Sequence, residues 1–386
     1  MKRTFDDKIA YICKNEIFKM EKKMKKTRFY QKHLNANAKM VSFAGYEMPI
    51  QYPKGIIFEH NLVRNSVGMF DVSHMGEFEV RGKDALAFIQ KITTNDASKL
   101  LPGKVQYSAM CYENGGIVDD LLVYCIEPEF WMLVVNGANI EKDWDWCIKN
   151  KEGFDVELYN ATDDINLLAI QGPNSKATIQ KIADIDLNPI EYYTFKIGKI
   201  SGFQAIISRT GYTGELGFEL YFRGDTQVAE KIWDDILEAG KEFGLEPVGL
   251  GCRDTLRLEK AYCLYGNDID ETTNPIEAGL GWITKLNKGK FNGSDVLTKV
   301  KEEKPKRNLV GFVVSVDKFI PRRHYKIFAD GKQIGEVTSG NLSPTLNKAI
   351  GLGYVEAAYK EPGTKIEIEA RGKLFPAEVV KLPFVG

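Results

Sequence analysis

Histidine and cysteine are scarce in this chain. Its 386 residues include four histidines (His33, His60, His74 and His324) and six cysteines (Cys13, Cys111, Cys125, Cys147, Cys252 and Cys263). No two cysteines form a C-x-x-C pair, and no two histidines share a ligand-like spacing. A zinc knuckle, a redox dithiol and a histidine-based triad are therefore without support. So few thiols in a chain of this length also argue against a disulfide scaffold. An excess of charge is missing too. Basic residues number 52 and acidic ones 53, a net charge of -1, which speaks against a nucleic-acid binder. No apolar run approaches the roughly 18–20 residues that span a bilayer. Chemistry must then rest on carboxylates, tyrosines and arginines, or on a bound cofactor.

What is present is ordinary globular material, 44% apolar and 27% charged. The length suggests two or three domains. Residues 1–23 hold seven Lys/Arg and four Asp/Glu and lack the apolar core of a secretory signal. They read as an extension outside the core, with Met24 as the functional start. Residues 24–298 mix strands and helices without regular βαβ alternation, which indicates α+β. The charged, proline-containing stretch 299–307 reads as the boundary. Residues 308–386 are all β, with turns at Asp330-Gly331 and Pro362-Gly363, and suggest a small barrel.

Local signals place the polar residues on elements. Phe78 and Val80 alternate with charged residues as in a strand, and Asp84 reads as the N-cap of a helix through Phe88 and Ile92. Residues 117–126 and 130–136 read as a hairpin around Glu127-Pro128-Glu129, with Asn114-Gly115-Gly116 as the turn before it. Centred on Pro128, the hairpin sets Asp120 opposite Asn136 and Tyr124 opposite Met132. Asp120, Leu122 and Tyr124 then share one face and Asp119 takes the other. A slip of one residue would exchange the two aspartates. Adjacent aspartates inside an apolar strand are unfavourable, so they mark either a site or an exposed hairpin edge. In 218–222, Phe218, Leu220 and Phe222 face one way, and Glu219 and Tyr221 the other. By pattern alone Glu219 reads as the solvated side of a strand. Arg253 and Arg257 lie four apart on a helix, where ion pairs with Asp254 and Glu259 are the simplest reading.

Taken together, these segments resemble the aminomethyltransferase (T protein) family of the glycine cleavage system. The resemblance runs from about Met24 to the C-terminus. It is carried by GMFDVSHMGEF at 68–78, ENGGIVDDLLVY at 113–124, VVNGANIEKDW at 134–144, SRTGYTGELGFELY at 208–221 and the long segment 249–282. It implies a multi-domain, ring-like α+β fold around a central folate channel, closed by the C-terminal barrel over 308–386. It also implies transfer of a methylene from the aminomethyl group on a lipoylated H protein to tetrahydrofolate, a co-substrate, with no metal. Carried over by residue, Asp120 is the catalytic carboxylate, as base or as electrostatic stabiliser. Asn136 and Arg253 contact the folate. Glu219, rather than the more conspicuous Glu215, accepts the pterin N–H groups. Tyr107, Tyr124, Tyr192, Tyr212 and Met75 line the channel. Arg322, Arg323 and Lys326 are candidates for a basic rim facing an acidic carrier protein. The resemblance implies a cytoplasmic location in a bacterium, or the mitochondrial matrix in a eukaryote.

The rival readings are another folate-dependent transferase of the same superfamily and a non-enzymatic folate-binding protein. The chain has no room for the flavin domain of the dimethylglycine and sarcosine dehydrogenases. It also lacks the K-G-C-Y-x-G-Q-E segment of the non-enzymatic group.

Overall fold

The computed structural model describes residues 24–386; the reading of residues 1–23, with Cys13, lies outside the described residues. Two sheets face each other across the middle of the larger region. The first is antiparallel throughout, in the order Lys104–Cys111, Ile117–Glu127, Phe130–Val135, Gly76–Arg81, Glu157–Asn160. Strand alternation sends Leu121, Val123 and Cys125 to its outer face. There Phe88, Ile89 and Ile92 of the Ala85–Ile92 helix and Trp146 of the Ile140–Asn150 helix cover them. Each such aromatic or branched side chain contributes about 1.5–3 kcal/mol by leaving water.

The second sheet runs Phe195–Ile200, Phe203–Ser208, Gly217–Arg223, Ile165–Gln171, Gly68–Asp71, Glu246–Pro247, and only the last pair is parallel. Phe218, Leu220 and Phe222 pack outward beneath Ile232, Trp233 and Ile236 of the Thr226–Gly240 helix. Glu219 and Tyr221 are thereby turned toward the first sheet. The two inner faces meet through Phe70, Leu167 and Ala169 on one side and Val105, Met132 and Val134 on the other.

The hairpin has the register expected from Pro128. Tyr124 pairs with Met132 and Leu122 with Val134, with an irregularity between Cys125 and Glu127 next to the turn. The preceding turn is fixed by glycine for two reasons. Gly115 has φ of 84°, and a Cβ on Gly116 would lie 2.1 Å from the Glu271 carbonyl oxygen. That close approach lets the Ile117 N–H donate to the Asp270 and Thr273 carbonyls, at 3.2 and 3.0 Å.

Strands within 307–380 close into a six-stranded antiparallel barrel filled by Phe312, Ile327, Val337, Val355 and Ile368. Closure leaves no open sheet edge. The barrel is tied to the Leu250–Glu259 helix by buried charge. Arg257 donates to Asp254 at 2.9 Å, to Asp268 at 2.7 Å and to Ser339 of the barrel at 3.0 Å.

Two local readings are corrected. The Asp84 carboxylate does not cap its helix but accepts from the Asp155 N–H at 2.8 Å, leaving the Asp84 carbonyl to receive Phe88 N–H. The charged stretch 299–307 carries the end of helix Ser294–Glu303 and the start of a strand at Arg307. Apolar positions Val296, Leu297 and Val300 have a helical spacing that the surrounding charges obscure. Arg257 does pair with Asp254, at 2.8 Å, but the pair is not a surface one. Arg257 is 1% exposed, and Glu259 reaches back to Arg64 and His60.

Candidate active site

Between the inner faces of the two sheets lies a cavity of about 760 Å³, a usual size for a small-molecule site. Asp120 enters it from the Ile117–Glu127 strand, Glu219 from the Gly217–Arg223 strand, and Arg253 from the Leu250–Glu259 helix. Met75, Tyr107, Asn136, Tyr192 and Tyr212 line it as well.

Asp120 is held from both sides. Tyr107 Oη donates to one carboxylate oxygen at 2.9 Å and Asn136 Nδ2 to the other at 2.8 Å. Burial, and then the neighbouring Asp119 charge, push its pKa up to about 7 against the pull of these hydrogen bonds. Burial and the Asp120 charge also raise the Tyr107 phenol, so it stays a donor.

Glu219 sits between paired residues Ser208 and Ala169. Thr210 Oγ1 donates to its carboxylate, and Tyr221 Oη does so at 3.3 Å. Burial raises its pKa, while these donors and Arg253 oppose the rise. Its strand face is polar because it lines a cavity, not because it meets bulk water. Arg253 stacks over the Tyr212 ring at 4.3 Å. Among the described residues it makes no ion pair within 4.0 Å, although burial disfavours its charge. A half-buried guanidinium without a carboxylate partner is a ready donor to polar ligand groups.

Comparison with known proteins decides the family. Residues 29–288 match the GCVT N-terminal domain, and residues 307–386 match the glycine cleavage T-protein C-terminal barrel domain. The chain belongs to the glycine cleavage T-protein family. An aminomethyltransferase of Bacteroides thetaiotaomicron is 56% identical over 365 residues, 94% of this chain and 99% of that protein. One from Chloroherpeton thalassium is 52% identical over 363 residues, again 94% and 99% of the two chains. The crystal structure of glycine cleavage system aminomethyltransferase T from Bartonella henselae superposes with a TM-score of 0.87. It is 34% identical, and the match covers 94% of this chain and 98% of that one. The fold is thus the T-protein fold, with its C-terminal barrel.

Of the catalytic and folate-contacting residues that the T-protein resemblance singles out, Tyr124 alone stays outside the cavity lining. It is fully buried one layer behind, where its hydroxyl joins Ser208 at 3.1 Å, Thr210 at 3.2 Å and Tyr221 at 3.0 Å. It therefore supports the residues that hold Glu219. Arg322, Arg323 and Lys326 do not line the central cavity either; Arg323 borders a separate, smaller pocket on the barrel. Sequence reasoning missed Gln106, Tyr193, Trp282 and the pair Leu382-Pro383, all of which line the cavity. Trp282 sits in the single 3₁₀ turn Gly281–Ile283 and the tail residues lie outside any element, where no periodicity could flag them. Tyr221 also lines it, and strand alternation from Glu219 was its signal.

Proposed function

We propose that the protein passes the methylene of an aminomethyl group, carried on the lipoyl sulfur of an H protein, to tetrahydrofolate. The products are 5,10-methylenetetrahydrofolate, ammonia and dihydrolipoyl H protein. The observation that carries this reading is the convergence of Asp120, Glu219 and Arg253, from three separate elements, on one cavity.

When bound, the pterin supplies a nucleophilic nitrogen for the carbon that lies between nitrogen and sulfur on the carrier arm. Glu219 accepts hydrogen bonds from the pterin edge, which are strong because the acceptor is charged. Tyr192, Tyr212 and Met75 cover flat ring surface. Arg253 and Asn136 contact polar groups of the same ligand. Asp120, fixed by Tyr107 and Asn136, stands beside the reacting nitrogen. It stabilises the positive charge that develops there, most effectively in a cavity poor in water. A proton affinity near neutrality also suits it to take up a proton and give it back. Trp282 and Tyr192 are 61% and 58% exposed while lining the cavity, so they form its lip, and the carrier arm enters past them.

The direct test mixes the purified protein with tetrahydrofolate and aminomethylated H protein and follows ammonia and methylenetetrahydrofolate; absence of both refutes the reading. Within it, Glu219→Gln weakens tetrahydrofolate binding about 10- to 100-fold, the loss of one or two charge-assisted hydrogen bonds. Fluorescence titration reads the change, and a parent-like Kd removes Glu219 from the pterin site.

A further inference from the structure

Of the described residues, only two cations line the central cavity, Arg253 and Lys260. Lys260 follows the Leu250–Glu259 helix as its cap, with the backbone still helical. Seven residues make nearly two turns, so the two cations share one helix face and are offset by about 10 Å along its axis. The wall beside them is aromatic. Arg253 lies over the Tyr212 ring at 4.3 Å, and the Tyr212 and Tyr262 ring centroids are 5.7 Å apart. Both tyrosines line the cavity, which thus has a flat apolar surface flanked by two offset cations.

Packing fixes the Lys260 side chain at both ends. Its stem lies against the glycine-rich turn, where a Cβ on Gly214 would come within 2.3 Å of Lys260 Cγ and Cε. Its head meets the C-terminal tail. Nζ donates to the Gly386 main-chain oxygen at 2.8 Å and to the Val385 carbonyl at 3.4 Å. The tail is itself pinned. The Phe384 and Val385 N–H groups donate to the Glu259 carbonyl at 3.0 and 3.2 Å, and Leu382 and Phe384 pack on Leu258, Ile350 and Leu352. Leu382 and Pro383 of the same tail line the cavity too. Lys260 is half-buried and Gly386 exposed, so this part of the cavity meets water. Among the described residues Lys260 pairs with no side-chain carboxylate, and two of the three N–H donors of its ammonium are taken. The third is left for a ligand.

We propose that Lys260 is a specificity residue that reads the anionic end of the pterin ligand. Its charge and its free N–H bind the carboxylates of the glutamate that ends tetrahydrofolate, while Glu219 holds the pterin. The inference rests on the reading of the cavity as the tetrahydrofolate site. Between those two ends the ligand carries an uncharged aromatic ring, which suits the wall of Tyr212 and Tyr262. A pair formed at the water-facing edge is screened by salt and modest in strength. Lys260 therefore selects an anionic tail over a neutral one of equal size rather than supplying most of the affinity.

The test compares two probes by fluorescence titration: tetrahydrofolate, and its diamide, in which both carboxylates are replaced by neutral amides. At low salt the parent protein binds tetrahydrofolate about 3- to 10-fold more tightly than the diamide. The ratio shrinks toward one in about 0.5 M salt. Lys260→Met loses the preference, and its Kd for the diamide stays that of the parent, which also shows that the variant is folded. Lys260→Arg, which keeps the charge, keeps the preference. An unchanged preference in Lys260→Met overturns the inference. An equal loss of both ligands does so as well, since it marks a structural role through the tail. Failure of the underlying reading looks different: the parent protein then binds neither probe, and both conclusions fall.

Discussion

Asp120→Asn lowers kcat by about 10²- to 10⁴-fold, the range for loss of a placed acid–base or charge-stabilising group. Tetrahydrofolate binding stays within a few-fold of the parent, because Glu219, Arg253 and the aromatic walls are untouched. Ammonia release in steady state and a fluorescence titration separate the two quantities, and parent-like turnover removes Asp120 from the chemistry. The sign of the pH dependence follows from its surroundings. Burial and the Asp119 charge push the Asp120 pKa up to about 7. A reaction that needs the ionised carboxylate therefore gains rate as pH rises through that value and loses it below. The same raised pKa has a cost in stability. Folded protein binds this proton more tightly than unfolded chain, so the associated stability is present below the ordinary carboxylate range and is lost as pH rises through about 7. The asparagine variant is spared that loss. At pH 8 it is at least as stable as the parent in thermal unfolding, which separates a catalytic defect from misfolding.

Glu259→Ala destabilises the protein by about 3–5 kcal/mol, the usual result of removing one partner from a buried ionic cluster. Its side chain is fully buried. It accepts from Arg64 Nη2 at 2.8 Å and Thr345 Oγ1 at 2.9 Å, and His60 Nε2 lies 3.3 Å away. Ser343 Oγ donates to its other oxygen. One carboxylate thus joins the Ile56–Asn65 helix, the Leu250–Glu259 helix and the barrel. Burial alone would raise its pKa, but the His60 and Ser343 hydrogen bonds and Arg64 outweigh it and bring the value to about 2. Its contribution is present above the ordinary glutamate pKa and is lost as pH falls from there through about 2. Chemical denaturation at pH 7 measures the difference, and an unchanged midpoint and slope would show that the barrel is held elsewhere.

The hairpin around Pro128 was legible because three cues agreed. Apolar β-formers flank a proline turn, a glycine turn precedes it, and the period is two. The same alternation separated Asp120 from Asp119 and Glu219 from Phe218. Charge patterns were read less well. Arg257 has the spacing of an exposed helix pair with Asp254, yet it and Glu259 are buried, because the barrel closes over that helix face and supplies Ser339, Ser343 and Thr345 as partners. Tyr124 has the right face and the wrong depth. Its phenol is taken by Ser208, Thr210 and Tyr221 of the other sheet before it reaches the cavity.

By itself the sequence determined which residues share a strand face, where the hairpins turn, that the C-terminal part is all β, and which family the ordered motifs resemble. Those properties depend on near neighbours in the chain and on a period of two or 3.6 residues. Tertiary structure alone decided that Asp120, Glu219 and Arg253 meet across one cavity. It also decided that Trp282 and Leu382 edge that cavity. These are contacts between segments remote in sequence, brought together when two sheets bury their outer faces under helices and leave polar residues on the inner ones. Burial then changed what those residues are: the Asp120 carboxylate became a proton acceptor near neutrality, and Arg253 a cation awaiting a partner.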